Sequence, residues 1–354
     1  MWIEGMIVKT KITIADVAKQ AGVSKSTVSR ILNGNYGQNT EEKVHKVLKV
    51  IEELDYRPNA LAKGLKSMKT NVIGIVLSNL RNPFWIKVLE GVEDTCRMKG
   101  YSLMICNSSD EPEVEKEHIK AFQMRQVDGI IINPTVKNMD LYEEMKHNQF
   151  PFISINRKIQ GQELDVVIVD NIMGGRIAVE HLLTLGKKKI AIILYPPEGI
   201  SPRIERLSGY KEALSKSGII LDPEMIVIVE EETGAVKNAV KELMTRPDRL
   251  DAIFSTNNMM TLEVLEGIKE IGLKVPADVS LVGYDETLWS KHLNSPLTTV
   301  NQPSKEMGQL AAERLINLIE KDKKISHEKK TLTLEPNLIV RESCGYKKEV
   351  ISVE

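Results

Sequence analysis

The sequence predicts an α/β protein: a small all-α helix-turn-helix head, followed by a two-lobed body of two doubly wound parallel sheets. Three observations predict it. Residues 13–32 hold two short amphipathic helices separated by a glycine-containing turn. From residue 72 onward, short β-rich apolar runs alternate with amphipathic helical stretches, the pattern of parallel sheets covered on both faces. Nine such runs fill roughly 215 residues, which is more than one sheet holds comfortably, so two lobes with a cleft between them fit better.

In the head, Thr13 is placed to cap a helix whose apolar residues Ile14, Val17, Ala18 and Ala21 follow the i, i+3, i+4, i+7 spacing of one buried face. Gly22 breaks that pattern. Ser24 then caps a second helix with Val28, Ile31 and Leu32 inward, and the small Ala18 and Ala21 let the two helices approach closely. Asn33-Gly34 stops the second helix. A third starts at a Thr40 cap, where Glu41 and Glu42 suit the positive end of the helix dipole. Val44, Val47, Leu48, Ile51 and Leu54 are its expected buried stripe. The second helix points Lys25, Ser26, Thr27, Ser29 and Arg30 outward. Short hydroxyls and long cations read base edges and hold phosphates in the major groove. For any single one of these residues a solvated helix face explains the pattern as well; the combination points to DNA. Charge agrees: residues 1–69 hold 12 Lys/Arg against 7 Asp/Glu, while the remainder holds 36 against 42. A basic head on an acidic body implies that only the head meets a polyanion.

In the body, strands are expected at 72–78, 102–107, 129–133, 152–156, 166–170, 190–194, 226–229, 252–256 and 281–285, with helices such as 84–99, 171–186, 203–217 and 257–271 between them. Ligands of such sheets sit beyond the carboxyl ends of the strands. Polar and aromatic residues gather at those ends: Asn82, Phe84 and Trp85 after the first strand, Asn156 and Arg157 at the fourth, Asp170 and Asn171 at the fifth, Arg203 and Arg206 after the sixth. Asn257 follows 252–256, Asp285 ends 281–285, and Gln302 follows a short crossover at 297–301. Aromatic faces stack on the C–H face of a sugar ring, and side chains that donate and accept satisfy its hydroxyls. Asp170 and Asn258 suit helix caps equally well.

Composition bounds the alternatives. The chain has 354 residues, 42% hydrophobic and 27% charged, as soluble globular proteins do. No apolar run approaches the length of a membrane-spanning helix, and the N-terminal residues lack a signal-peptide pattern, with Met1 or Met6 as the start; a cytoplasmic location is expected. Cys96, Cys106 and Cys344 are too few and scattered for a disulfide framework or zinc site, and no metal or cofactor is expected. No phosphate loop, nucleophile elbow or metal-spaced histidine cluster is present, and Gly174-Gly175 lies inside a helical pattern where a dinucleotide fingerprint would need a strand end. An enzyme is not expected.

The run Ile14-Ala-Asp-Val-Ala-Lys-Gln-Ala-Gly-Val-Ser-Lys-Ser-Thr-Val-Ser-Arg-Ile-Leu-Asn33, with Tyr56-Arg-Pro-Asn-Ala-Leu-Ala62, resembles the lactose-repressor (LacI/GalR) family of transcriptional regulators. The resemblance is nearly unbroken through the head and continues more weakly to the end of the chain. It implies a DNA-binding domain over 1–57, a hinge helix and linker over 58–70, and an effector and dimerisation domain over 71–354 similar to periplasmic sugar-binding proteins. The lobes would take about 71–169 with 303–331, and 170–302 with 332–350. It implies DNA contacts at Thr13, Lys25, Ser26, Thr27, Ser29, Arg30, Asn33 and Asn59, with Leu65 as a minor-groove wedge and Lys66 beside it. A hinge this short, carrying Gly64, is marginal alone and is expected to fold only when paired on DNA.

In the body, the resemblance implies a ligand shell of Asn82, Phe84, Trp85, Asn156, Arg157, Arg206, Asn257, Asp285 and Gln302, with Arg203 nearby. Two departures stand out: Asn156 where the family commonly has Asp, and Asn258 likewise. Three arginines and one acid fewer leave a neutral sugar and a sugar acid both open. The expected protein is a homodimer on a near-palindromic operator, acting as a repressor of carbohydrate uptake or catabolism genes under a small sugar or sugar-acid effector. Two other readings stay open: a catabolite-control regulator answering to a phosphorylated carrier protein, and a sugar-binding transport module.

Overall fold

The computed structural model describes residues 12–37, 39–56, 69–159, 161, 164–247, 249–320 and 330–346. The chain divides into two compact units, Met1–Thr70 and Asn71–Glu354.

The first unit contains α1 (Ile14–Ala21), α2 (Lys25–Leu32) and α3 (Glu41–Glu53). Gly22 ends α1 in the left-handed region at φ 69°, which glycine adopts without steric cost. Ser24 caps α2 by accepting from the Thr27 N–H, and Thr40 caps α3 by accepting from Lys43 N–H. Val17, Ala18, Ala21, Val28, Ile31, Val47 and Val50 form the core. Leu48, expected in the stripe of α3, is instead exposed, and Val50 is buried. Among the described residues two short helices pack on α3, so its buried face is narrow, and Leu48 is turned about 100° away from Val47. The expected hinge helix at 58–66 lies outside the described residues.

The second unit holds two six-stranded sheets. The first is built from β1 (Val72–Leu77), β2 (Ser102–Asn107), β3 (Gly129–Ile132), β4 (Phe152–Ile155), β5 (Val166–Val169) and β11 (Thr331–Leu334), in the order β11-β5-β4-β3-β1-β2. The second contains β6 (Ile190–Leu194), β7 (Ile226–Ile228), β8 (Ala252–Ser255), β9 (Ser280–Tyr284), β10 (Thr298–Asn301) and β12 (Asn337–Ile339), in the order β12-β10-β9-β8-β6-β7. All pairs are parallel except β10 with β12. Each sheet is covered on both faces: separate apolar clusters flank the first and the second. That double burial explains strands such as Ile190–Leu194 that are apolar at every position.

Between the strands run α4 (Pro83–Met98), α5 (Pro112–Met124), α6 (Met139–His147), α7 (Asn171–Thr184), α8 (Ser201–Lys216), α9 (Ala235–Thr245), α10 (Asn258–Glu270) and α11 (Ser304–Glu320). The stretch 297–301, read from sequence as a crossover, is a central strand. Its threonines are buried with their hydroxyls bonded: Thr298 Oγ1 donates to the Arg341 carbonyl at 3.0 Å and Thr299 Oγ1 to Glu286 Oε2 at 2.5 Å. Hydrophobic patterning does not reveal a strand whose buried groups are polar. The chain passes between sheets after β5, after β10 and after β11. The last passage falls after Leu334, later than the 331/332 boundary expected, because β11 pairs with β5 from Thr331↔Val166 to Leu334↔Val169.

Two glycines fix the packing of α8. A Cβ on Gly175 of α7 would overlap the Arg206 carbonyl oxygen, and one on Gly209 of α8 would overlap the Ile172 carbonyl oxygen. The glycine pair in the α7 pattern therefore serves close helix approach, and Gly174 beside it makes room for the Tyr284 ring.

Candidate nucleic-acid interface and ligand cleft

On the head, Lys25, Ser26, Arg30 and Asn33 are exposed, while Thr27 and Ser29 are half-buried. The hydroxyls at the start of α2 form one cluster: Ser24 Oγ lies 2.7 Å from Ser26 Oγ and 2.9 Å from Thr27 Oγ1. Arg30 Nε donates to the Ser26 carbonyl at 3.4 Å, and Asn33 Nδ2 to the Ser29 carbonyl at 2.8 Å. Thr13 is exposed before α1. Its N–H and hydroxyl both donate to Asp16 Oδ2, at 2.8 and 2.6 Å, and these bonds hold the Asp16 carboxyl below its usual range. Asn59, Leu65 and Lys66 lie outside the described residues.

In the body, ten of the twelve residues expected at the strand ends line one cavity of about 530 Å³; Asp170 and Asn171 do not, Asp170 capping α7 and Asn171 accepting from Arg206. From the first sheet, Asn82 caps α4 by accepting from the Phe84 N–H at 2.8 Å, and Phe84 and Trp85 meet edge to face with ring centroids 4.9 Å apart. Asn156, just beyond β4, is left-handed at φ 66°. Its amide lies 3.5 Å from Asn133 Oδ1. From the second sheet, Arg206 on α8 is buried. It donates from Nε to Asn171 Oδ1 at 2.9 Å and from Nη1 to the Thr256 carbonyl at 2.7 Å. Its guanidinium lies 3.7 Å from the centre of the Tyr284 ring. Burial pushes the Tyr284 hydroxyl up to about 12.

Asp285, at φ 71°, accepts at Oδ1 from Gln302 Nε2 at 2.5 Å and at Oδ2 from Asn258 Nδ2 at 3.3 Å. Burial pushes its carboxyl above the usual carboxylate range, against the opposing pull of Arg206 and the Gln302 amide. The same Asn258 amide reaches Asn82 Oδ1 at 2.8 Å, so a hydrogen bond joins the two lobes at the cavity floor. Asn258 Oδ1 and Gln302 Oε1 are buried without a protein donor. Asn257, not Asn258, caps α10, accepting from the Met259 and Met260 N–H groups; Asp170 caps α7.

Two acids that sequence reasoning missed pair with two of the arginines. Asp110 grips Arg157 with both oxygens, at 2.6 and 2.9 Å, and Glu231 accepts from Arg203 Nη2 at 2.7 Å. Both follow strands, β2 and β7, and the strand-end rule extended to these two strands finds them. With Arg81 and Glu111 also on the wall, the cavity carries four arginines and four acids, so it has no excess of positive charge. Among the described residues no cluster able to hold a metal occurs, and no helix is long and apolar enough to cross a membrane.

A helix-turn-helix unit with basic and hydroxyl side chains on its second helix, joined to a two-lobed body around a polar cleft, is the build of a DNA-binding transcription regulator. The chain belongs to the lacI family of bacterial regulatory proteins. Residues 13–59 match that family, and 179–344 match the periplasmic binding protein-like domain. It is 37% identical to the HTH-type transcriptional regulator KdgR of Bacillus subtilis (strain 168), over 94% of this chain and 97% of that protein. Among solved structures, the transcriptional regulator CelR–cellobiose complex is 30% identical with a TM-score of 0.70, covering 94% of this chain and 99% of that one. The lac repressor dimer bound to operator and an anti-inducer is 26% identical with a TM-score of 0.82, covering 95% and 99%. The curated relatives are named as transcriptional regulators, not as enzymes.

Proposed function

We propose that this protein is a repressor of carbohydrate uptake or catabolism genes, controlled by a small sugar or sugar acid held in the cleft of the body. Two copies grip a near-palindromic operator. Lys25, Ser26 and Arg30 make base contacts, Thr27 and Ser29 phosphate contacts, and the segment carrying Asn59, Leu65 and Lys66 engages the minor groove. The observation that carries the effector reading is the single cavity that gathers aromatic faces, amides, acids and guanidinium groups from the strand ends of both sheets. Such a lining can satisfy the hydroxyls of a sugar ring and stack on its C–H face. Gln302, which lines the cavity, keeps a buried carbonyl oxygen without a donor in the protein. The solved relative holding cellobiose supports the reading.

The test is operator binding by the purified full-length protein, read by fluorescence anisotropy, with sugars, sugar acids and sugar phosphates added in turn. At least one sugar or sugar acid is expected to change operator affinity by about 5- to 150-fold, a coupling of about 1–3 kcal/mol. If none changes it, the effector reading fails.

A further inference from the structure

We infer that Asp110 sets the ligand specificity of the cleft: from the β2–α5 loop it supplies the carboxylate that fills the Arg157 fork, so that this end of the cleft meets an uncharged hydroxyl rather than an anion. The inference rests on the effector reading above and names the ligand chemistry at one end of that site.

The geometry is specific. Arg157 is buried, and its side chain is 8% exposed against 35% for Asp110. Nη1 donates to Asp110 Oδ1 at 2.6 Å and to the Pro134 carbonyl at 3.1 Å, while Nη2 donates to Asp110 Oδ2 at 2.9 Å. The end-on fork of the guanidinium, the edge that would clasp a ligand carboxylate, is thus filled by a carboxylate of the protein. The loop is shaped for this. Ser109 and Asp110 are both left-handed, at φ 54° and 61°, a conformation that side chains other than glycine adopt sparingly. Asn156, adjacent to Arg157 in the chain, also sits at φ 66°, where asparagine is among the better tolerated residues, and its amide is directed to Asn133. The carboxylate on Arg157 thus comes from another loop, not from its neighbour in the chain.

Chemistry at the cavity wall follows. Asp110 keeps lone pairs beyond those that meet Arg157, and both residues line the cavity. A ligand hydroxyl donates to the Asp110 carboxylate without adding charge. A ligand carboxylate at the same place would displace Asp110 or lie against it as a like charge, and a site that places a repulsive group against one ligand class discriminates by that means.

The experiment uses the full-length protein and isothermal titration with neutral mono- and disaccharides, each paired with its uronic or aldonic acid. The quantity read is the ratio of acid to neutral affinity within a pair. Asp110→Asn frees the Arg157 fork and is expected to move that ratio at least tenfold toward the acid. Asp110→Ser, judged folded by its melting curve, serves where Asp110→Asn does not fold. Sugars that bind the wild type while Asp110→Asn or Asp110→Ser leaves the ratio unmoved overturn the inference and leave the effector reading standing. A wild type that binds no member of the panel overturns both.

Discussion

In the head, the described side chains read as facing DNA lie within residues 13–33, on two helices held by a core of seven buried residues. In the body, the cavity draws on loops and helix starts between Ser78 and Gln302, seated on two separate sheets. The head is a local construction, and the described part of its proposed interface centres on one helix face. The cleft is a long-range construction, and every wall residue depends on a strand or helix placed by contacts far along the chain. Damage should therefore spread differently. A change in the head core should abolish DNA binding and leave the cleft intact, whereas a change between two helices of the body should reach the ligand and leave the head intact.

The largest expected effect is in the head. Ile31 is 1% exposed and packs in a core of three short helices. Ile31→Ala should cost about 2–5 kcal/mol, a large share of the stability of so small a unit. Operator binding should be lost while ligand titration of the cleft is unchanged. A variant that still binds operator at wild-type affinity breaks the contrast. Next is Gly175→Ala, whose methyl group meets the Arg206 backbone. Overpacking should cost about 1–3 kcal/mol. The melting transition of the body should fall by several degrees, and ligand affinity should fall with it because α8 carries Arg203 and Arg206. Third is Arg206→Lys, which removes the guanidinium that bonds Asn171 Oδ1 and the Thr256 carbonyl. An ammonium does not reproduce that fork. Ligand affinity should drop roughly 10- to 100-fold, about 1.5–3 kcal/mol, with operator binding by the ligand-free protein retained.

The same contrast explains what was legible in the sequence. Helix caps at Ser24 and Thr40 and the glycine stop at Gly22 are local signals, and the structure has each of them. Strand ends were legible wherever an apolar run was strong, and most of the residues that follow them meet in one cavity, with Asp170 and Asn171 engaged instead in the cap of α7 and the seat of Arg206. Three kinds of information were not local. The strand Thr298–Asn301 hides because its buried threonines bond to Arg341 and Glu286, which lie elsewhere in the sequence. Leu48 looks buried by spacing alone, and only the number of helices packed on α3 decides otherwise. The charge balance of the cleft is set across the chain, because Arg157 and Arg203 find their acids on other loops, and so the three arginines by themselves left a neutral sugar and a sugar acid both open.

Asp285 carries the smallest effect and the one that most sharpens the difference between the two ends of the cleft. Asp110 faces a guanidinium and is partly exposed. Asp285 is buried and its hydrogen bonds come from two neutral amides. Two amide donors compensate an ionised carboxylate incompletely, which is why burial raises its proton affinity. The sign follows from linkage. An acid whose folded pKa is raised holds its proton more tightly in the folded state, so its stabilising contribution is present below the unfolded value of about 3.9 and is lost as pH rises through the folded value. Asp285→Asn removes the ionisation. The ligand-free variant should melt above the wild type by a few degrees at about pH 7, and the gap should close toward about pH 4, where the wild-type carboxyl is itself protonated. Ligand affinity should move the other way, since an amide is a weaker acceptor than a carboxylate for a ligand hydroxyl. A gap that is constant across that range would show that Asp285 is ionised without cost, and that the two ends of the cleft handle their acids alike.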